Sequence, residues 1–204
     1  MGEVFGQSIS PVDVINSILR QYAFGVGFFR EILQNSDDAK ATKQEFILDR
    51  RSHSPSNGTP KFAPGPALVA YNNEIVTDAD WSGLQTINSS SKKTDITKTG
   101  KYGSGFRSTF HLTDTPEILS GSYLAIFDPL AIFHGATGGI RHNLTETNQA
   151  LSDHLESYAS VPEAPNTLFD GTAIRLPLRS HDSEGLQAKA ISADEIKQIM
   201  LDFI

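Results

Sequence analysis

The run Phe28-Phe29-Arg30-Glu31-Ile32-Leu33-Gln34-Asn35-Ser36-Asp37-Asp38-Ala39 carries two different faces on one helical period. Phe28, Phe29, Ile32 and Leu33 recur at the spacing of a stripe that buries itself against other structure. Glu31, Asn35 and Asp38 stand at i, i+4 and i+7, so on the same helix they share a second, polar face. The pattern predicts a helix from the Gly25/Gly27 break to near Lys40. A carboxylate on that polar face can serve as general base toward a water. A neutral amide one turn away can ligate Mg²⁺ without adding a second negative charge beside phosphates. Spacing alone favours the plainer reading, a solvated helix face.

Around this helix the chain alternates helical and extended patterns. Ser10-Pro11-Val12-Asp13 caps a first helix running to about Tyr22. Gln44–Asp49 and Ala67–Tyr71 read as strands separated by an exposed loop, Ser52–Pro66, rich in Ser, Pro, Gly and Asn. Asp78 caps a short helix through Trp81 and Leu84, both read as core. Asn88–Thr99 is polar and aperiodic, the pattern of a mobile segment, and Gly100–His111 turns from a glycine-rich loop into a helix. Tyr123–Phe127 and Thr172–Leu178 read as strands, and Glu146–Tyr158 as an exposed helix. Ser192-Ala193-Asp194-Glu195 is a capping box for a helix still running at Ile204, which points to a longer parent protein.

Composition narrows the classes. The chain has 204 residues, 38% of them hydrophobic, enough for one domain with a sizeable core. Twenty-four acidic against 17 basic residues give a net charge of −7, which disfavours nucleic-acid and anionic-membrane partners. The absence of cysteine removes disulfides, Cys-ligated zinc and thiol nucleophiles, and the six histidines show no metal-ligand spacing. With no leader pattern and no membrane-length apolar run, the expectation is an intracellular, cytoplasmic protein. His111 and Asp114 read as a solvated helix end rather than a catalytic pair.

Gly100-Lys101-Tyr102-Gly103-Ser104-Gly105-Phe106 ahead of a helix lets bare backbone N–H groups approach phosphate oxygens. Lys92, Lys93, Lys98, Lys101 and Arg107 surround it in an otherwise acidic chain. It is neither the Walker nor the dinucleotide fingerprint, and glycines alone serve turn geometry as readily.

The Glu31/Asn35/Asp38 spacing, the Gly100–Phe106 loop and Asp170-Gly171-Thr172, in this order, resemble the motifs of the GHKL, or Bergerat-fold, ATPase superfamily, which includes the heat-shock chaperones. Within it, Ala70-Tyr71-Asn72-Asn73-Glu74, Asp80-Trp81-Ser82-Gly83, Leu119-Ser120-Gly121-Ser122-Tyr123-Leu124 and Phe127-Asp128-Pro129 are similar to the N-terminal repeat domains of sacsin and its relatives. The resemblance implies one domain over residues 1–204, an α+β two-layer sandwich with helices on one face of a mixed, mostly antiparallel sheet, and a lid at about 88–102. It implies Glu31 as general base, Asn35 as Mg²⁺ ligand and Asp38 as pocket wall. Lys98, Gly100, Lys101, Gly103, Gly105 and Phe106 would lie at the phosphates and Thr172 near adenine. Where the superfamily has Asp-x-Gly-x-Gly, this chain has Tyr71-Asn72-Asn73-Glu74-Ile75, so Asn72 or Asn73 replaces the carboxylate that reads the adenine amine. A neutral acceptor makes the weaker bond, roughly 0.5–1.5 against 1.5–3 kcal/mol. The implied function is an ATP-binding, chaperone-like module with slow or conditional Mg²⁺-dependent hydrolysis; the alternative is an interaction scaffold that no longer binds nucleotide. The expected partners are ATP or ADP, downstream domains of the same chain, and client or co-chaperone proteins.

Overall fold

The computed structural model describes residues 10–21, 23–54, 62–86, 104–135, 138–146, 149–162 and 168–204. Along the chain come α1 (Pro11–Gln21), α2 (Val26–Asp38), β1 (Gln44–Asp49), β2 (Ala67–Asn72), α3 (Asp78–Thr86) and α4 (Ser104–Arg107), the last continued by a 3₁₀ turn over Ser108–His111. There follow β3 (Glu117–Gly121), β4 (Tyr123–Phe127), β5 (Gly139–Asn143), α5 (Gln149–Leu155) with a 3₁₀ turn at Glu156–Tyr158, β6 (Phe169–Pro177) and α6 (Ala193–Phe203). The strands form one sheet in the order β1-β2-β6-β3-β4-β5, and every pair is antiparallel. The α+β sandwich holds, with a sheet that is wholly antiparallel.

Strand alternation divides the core in two. Leu68 and Ala70 of β2, Ile118 of β3, Ala125 of β4 and Ile174 and Leu176 of β6 pack with Phe28, Phe29, Ile32, Trp81, Leu84, Phe106 and Ile196 from the helices. Their neighbours Val69, Tyr71, Leu119, Leu124 and Ala173 point the other way and meet Leu151, Tyr158 and Phe169. The segment Glu146–Tyr158 is therefore not the exposed helix its polarity predicts: its shorter helix presses Leu151, His154 and Tyr158 into the far face.

Three of the four residues of the α2 stripe do what their spacing requires, whereas Leu33 lies on the helix flank and is 44% exposed. Phe28, Phe29 and Ile32 are buried, each worth about 1.5–3 kcal/mol of transfer free energy. Phe29 meets Phe46 of β1 edge-on at 5.0 Å and stacks on Phe203 of α6 at 5.4 Å, so one side chain joins two helices to the sheet. Helix α2 stops two residues short of Lys40. Lys40 takes a left-handed backbone, φ 70°, its N–H donates to the Asp37 carbonyl, and that of Ala41 to the Ser36 carbonyl. This is the paired-bond helix stop usually built on glycine.

At the chain's end the expected capping box forms: Ser192 Oγ accepts from the Glu195 N–H at 3.2 Å, and the Ser192 N–H donates to the Glu195 carboxylate at 2.8 Å. Strands β3 and β5 have no counterpart in the sequence reading.

Candidate functional site

A row of polar side chains crosses the helix-facing side of the sheet at one end. The register places Gln44 opposite Asn72, Asn72 opposite Thr172, and Thr172 opposite Ser120, so four adjacent strands each contribute one residue. Helix α2 lies over this row, because Ser36 continues the buried stripe one turn past Ile32. The Ser36 hydroxyl contacts Gln44 Oε1 and the Ile32 carbonyl, and accepts from Asn72 Nδ2 at 3.2 Å. Asn72 Oδ1 accepts from the Glu74 N–H at 3.0 Å. Thr172 Oγ1 lies 2.6 Å from the Glu74 carbonyl and 2.9 Å from Ser120 Oγ, which in turn accepts from the Val76 N–H at 2.8 Å. The row therefore also ties down the turn after β2.

Above the row, Glu31 and Asp38 are exposed on the outer flank of α2 and Asn35 is half-buried between them. The Asn35 amide nitrogen is buried and has no hydrogen-bond partner, a circumstance that calls for an acceptor. The two asparagines left as alternatives by the sequence do different things. Asn72 is buried beside Thr172 under α2. Asn73 clamps the α2–β1 connection, its Oδ1 accepting from the N–H groups of Thr42 and Lys43 at 3.0 and 2.9 Å and its Nδ2 donating to Thr42 Oγ1. Phe106 packs into the helix-side core against Phe127, at 4.8 Å between ring centroids, and Gly105 lies in α4 beside it. Lys98, Gly100, Lys101, Gly103 and the expected lid at 88–102 lie outside the described residues.

The sequence reading missed Ser36, Gln44 and Ser120, whose shared row only strand register reveals. It also missed a buried ionic cluster on the far face. Glu117, fully buried, accepts from Arg175 Nη1 at 3.0 Å, from Tyr158 Oη at 2.9 Å and pairs with His154 Nε2 at 3.0 Å. Burial alone would raise the Glu117 pKa, but the His154 and Arg175 charges and the bonds from His154 and Tyr158 bring it below the ordinary carboxylate value. Burial, with the Glu117 charge, pushes Tyr158 well up. Phe62 stacks on the His154 ring at 4.1 Å. Among the described residues the sheet separates this cluster from the Glu31 face, and its work is to hold the far layer.

Asp114 is not a solvated end: it receives Arg179 Nε at 2.9 Å and Nη2 at 2.7 Å, while the same guanidinium donates to the carbonyls of Phe110, His111 and Lys189. Among the described residues a cavity of about 350 Å³ opens between α1 and the Ser183–Ala188 bridge, lined by Leu19, Phe24, His111 and Leu186 among others; it includes neither the polar row nor the Glu31 face. No helix among the described residues is long and apolar enough to cross a membrane.

The family profile described as Sacsin domain matches residues 10–204, from the start of α1 through α6. Human sacsin (Homo sapiens) is 37% identical over 196 aligned residues, which take in 90% of this chain and 4% of the human protein. The chain thus spans only a small part of the length of that relative. A match across every described element, together with this identity, shows that the chain belongs to the sacsin domain family.

Proposed function

We propose that this domain is an ATP-binding, chaperone-like module of a larger sacsin-related protein, hydrolysing ATP slowly or conditionally with Mg²⁺. The observation that carries the reading is the meeting of two motifs far apart in sequence: Asn72 and Thr172 stand side by side on β2 and β6, directly under the helix that bears Glu31, Asn35 and Asp38. A bound nucleotide would have Asn72 and Thr172 to meet its base at the floor and Asn35 to meet its phosphates. Asn35 fits a Mg²⁺–nucleotide complex, since its neutral carboxamide oxygen can ligate the metal and its buried nitrogen, which lacks a partner, can donate to a phosphate oxygen. Mg²⁺, when bound, offsets the phosphate charge. Glu31 takes the proton of the attacking water, and Asp38 shapes the outer wall.

The scaffold reading draws on one observation, that Asn72 and Thr172 already have partners in Glu74, Ser36 and Ser120. Calorimetry of ATP binding with and without Mg²⁺ separates the two. Nucleotide binding predicts a saturable heat that Asn35→Ala reduces more in the presence of the metal than in its absence. No heat from the parent at millimolar ATP makes the scaffold the better reading.

A further inference from the structure

Strand β5 ends the sheet, and among the described residues no further strand pairs with its outer side. Its hydrogen bonding inward follows from two flanking contacts: the Leu144 N–H donates to the Ser122 carbonyl, and the Asp128 N–H to the Gly138 carbonyl. In an antiparallel ladder the bonded pairs alternate, and with Leu124 opposite His142 and Ile126 opposite Ile140, it is Ile140 and His142 that bond to β4. The backbone groups of Gly139, Arg141 and Asn143 therefore turn outward, though the Asn143 carbonyl is taken by the Glu146 N–H. Arg141 is left presenting both a donor and an acceptor.

The Arg141 side chain belongs to the helix-facing side, opposite Ala125. Its guanidinium carbon lies 4.5 Å from the Tyr123 ring centroid and 5.6 Å from that of Trp81. Held on this aromatic shelf, it has little rotamer freedom left to lose on meeting an anion. No carboxylate pairs with it among the described residues, although the chain as a whole is acidic. The opposite edge is guarded differently: around β1, Lys43 pairs with Glu45 and Arg50 with Asp194, the charged dressing that discourages edge pairing.

We infer that the β5 edge docks an extended acidic peptide segment as a seventh, antiparallel strand, with a Glu or Asp of that segment opposite Arg141. In a bonded pair the two residues project to the same face, so the incoming carboxylate meets the shelved guanidinium while the Arg141 N–H and C=O receive the partner's backbone. The occupant is acidic because Arg141, an exposed cation with no ion pair among the described residues, sits where the partner's side chain must lie.

The test uses the 204-residue chain and a capped heptapeptide, Thr-Val-Thr-Glu-Thr-Val-Thr, with a second version carrying Lys for Glu. Amide hydrogen exchange is followed by NMR. At millimolar Glu peptide, exchange at the Arg141 amide slows by roughly tenfold or more, while Ile140 and His142, already bonded to β4, change little. Arg141→Glu reverses the preference in favour of the Lys peptide, and because its side chain is exposed, folding is unaffected, as the unchanged amide spectrum of β4 verifies. No slowing at Arg141, equal slowing by both peptides, or an unreversed preference in Arg141→Glu overturns the inference. Nucleotide plays no part in the measurement, so the result stands apart from ATP binding.

Discussion

Replacing Glu117 by glutamine removes the negative charge from the buried cluster on the far face of the sheet with almost no change in volume. The carboxylate accepts from Arg175, His154 and Tyr158, and an amide has only one oxygen for the three. Its NH₂ faces groups that now donate, and Arg175, itself fully buried, keeps only the Ala63 carbonyl as a full partner. Leaving one member of a buried ion pair unmatched costs about 3–5 kcal/mol. For a domain of this size each kcal/mol lowers Tm by about 2–4 °C, so Glu117→Gln melts about 6–20 °C below the parent. Calorimetric melts of the parent, Glu117→Gln and Glu117→Gln/Arg175→Met supply the test. The double variant, which no longer strands the Arg175 guanidinium, recovers part of the loss. The pH dependence gives a second reading. The folded pKa of Glu117 lies below its ordinary value, so its stabilisation is complete above the unfolded carboxylate range, near 4.3, and fades as pH falls through the folded value. Glu117→Gln lacks that part of the acid sensitivity. A single variant within about 1 kcal/mol of the parent, or a double variant worse than the single, refutes the account of Arg175 as the stranded charge.

Ser192→Ala removes the side-chain half of the α6 capping box, leaving the backbone N–H of residue 192 to the Glu195 carboxylate, and lowers stability by about 0.5–2 kcal/mol, measured by urea denaturation; no change in midpoint sinks the assignment. Burial opposes ionisation of Asp49, yet bonds from Arg51 and His53 hold its pKa at about 2. An NMR titration therefore finds this carboxyl still charged at pH 3, and its stabilisation is lost only as pH falls from the ordinary aspartate range toward that value. Glu31→Ala keeps ATP binding and loses turnover, as single-turnover assays read it; parental hydrolysis rules out the base. Asn72→Asp enlarges the thermal shift produced by ATP, by about 1 kcal/mol or five- to tenfold in affinity, whereas Asn73→Asp, whose side chain clamps Thr42, does not. Equal responses from the two variants contradict the placement of Asn72 as the floor residue.

Much of the fold was legible wherever one short stretch carries its own instructions. The stripe of Phe28, Phe29 and Ile32 predicts α2 and its buried face, the Trp81–Leu84 pair predicts core, and the Ser192 box predicts the start of α6. Local pattern failed where tertiary pairing decides. Strand β3 opens on a buried Glu and closes on a Gly, and β5 offers one aliphatic residue in Gly139–Asn143, so neither shows the alternation of a strand. The segment ending in Tyr158 looked exposed because His154 and Tyr158 are polar-capped. Their acceptor, Glu117, comes 37 and 41 residues earlier in the chain. For the candidate site, the α2 triad is readable from spacing, but the choice between Asn72 and Asn73 turns on a strand's last residue and the turn after it, which only the register with β6 resolves.

Strand β6 is the last strand in sequence and an inner one in space, lying between β2 and β3. Until residues 169–177 are available, the chain possesses two separate fragments of sheet, β1–β2 and β3–β4–β5, each with an unpaired inner border. A growing polypeptide therefore cannot close this sheet progressively; it closes when β6 arrives and zips to both borders. Truncation ahead of Phe169 leaves two sticky half-sheets rather than a smaller domain. Where copies of such a domain sit near one another, a β6 delivered to a neighbour's gap satisfies the same hydrogen bonds, so strand exchange is the error this connectivity invites.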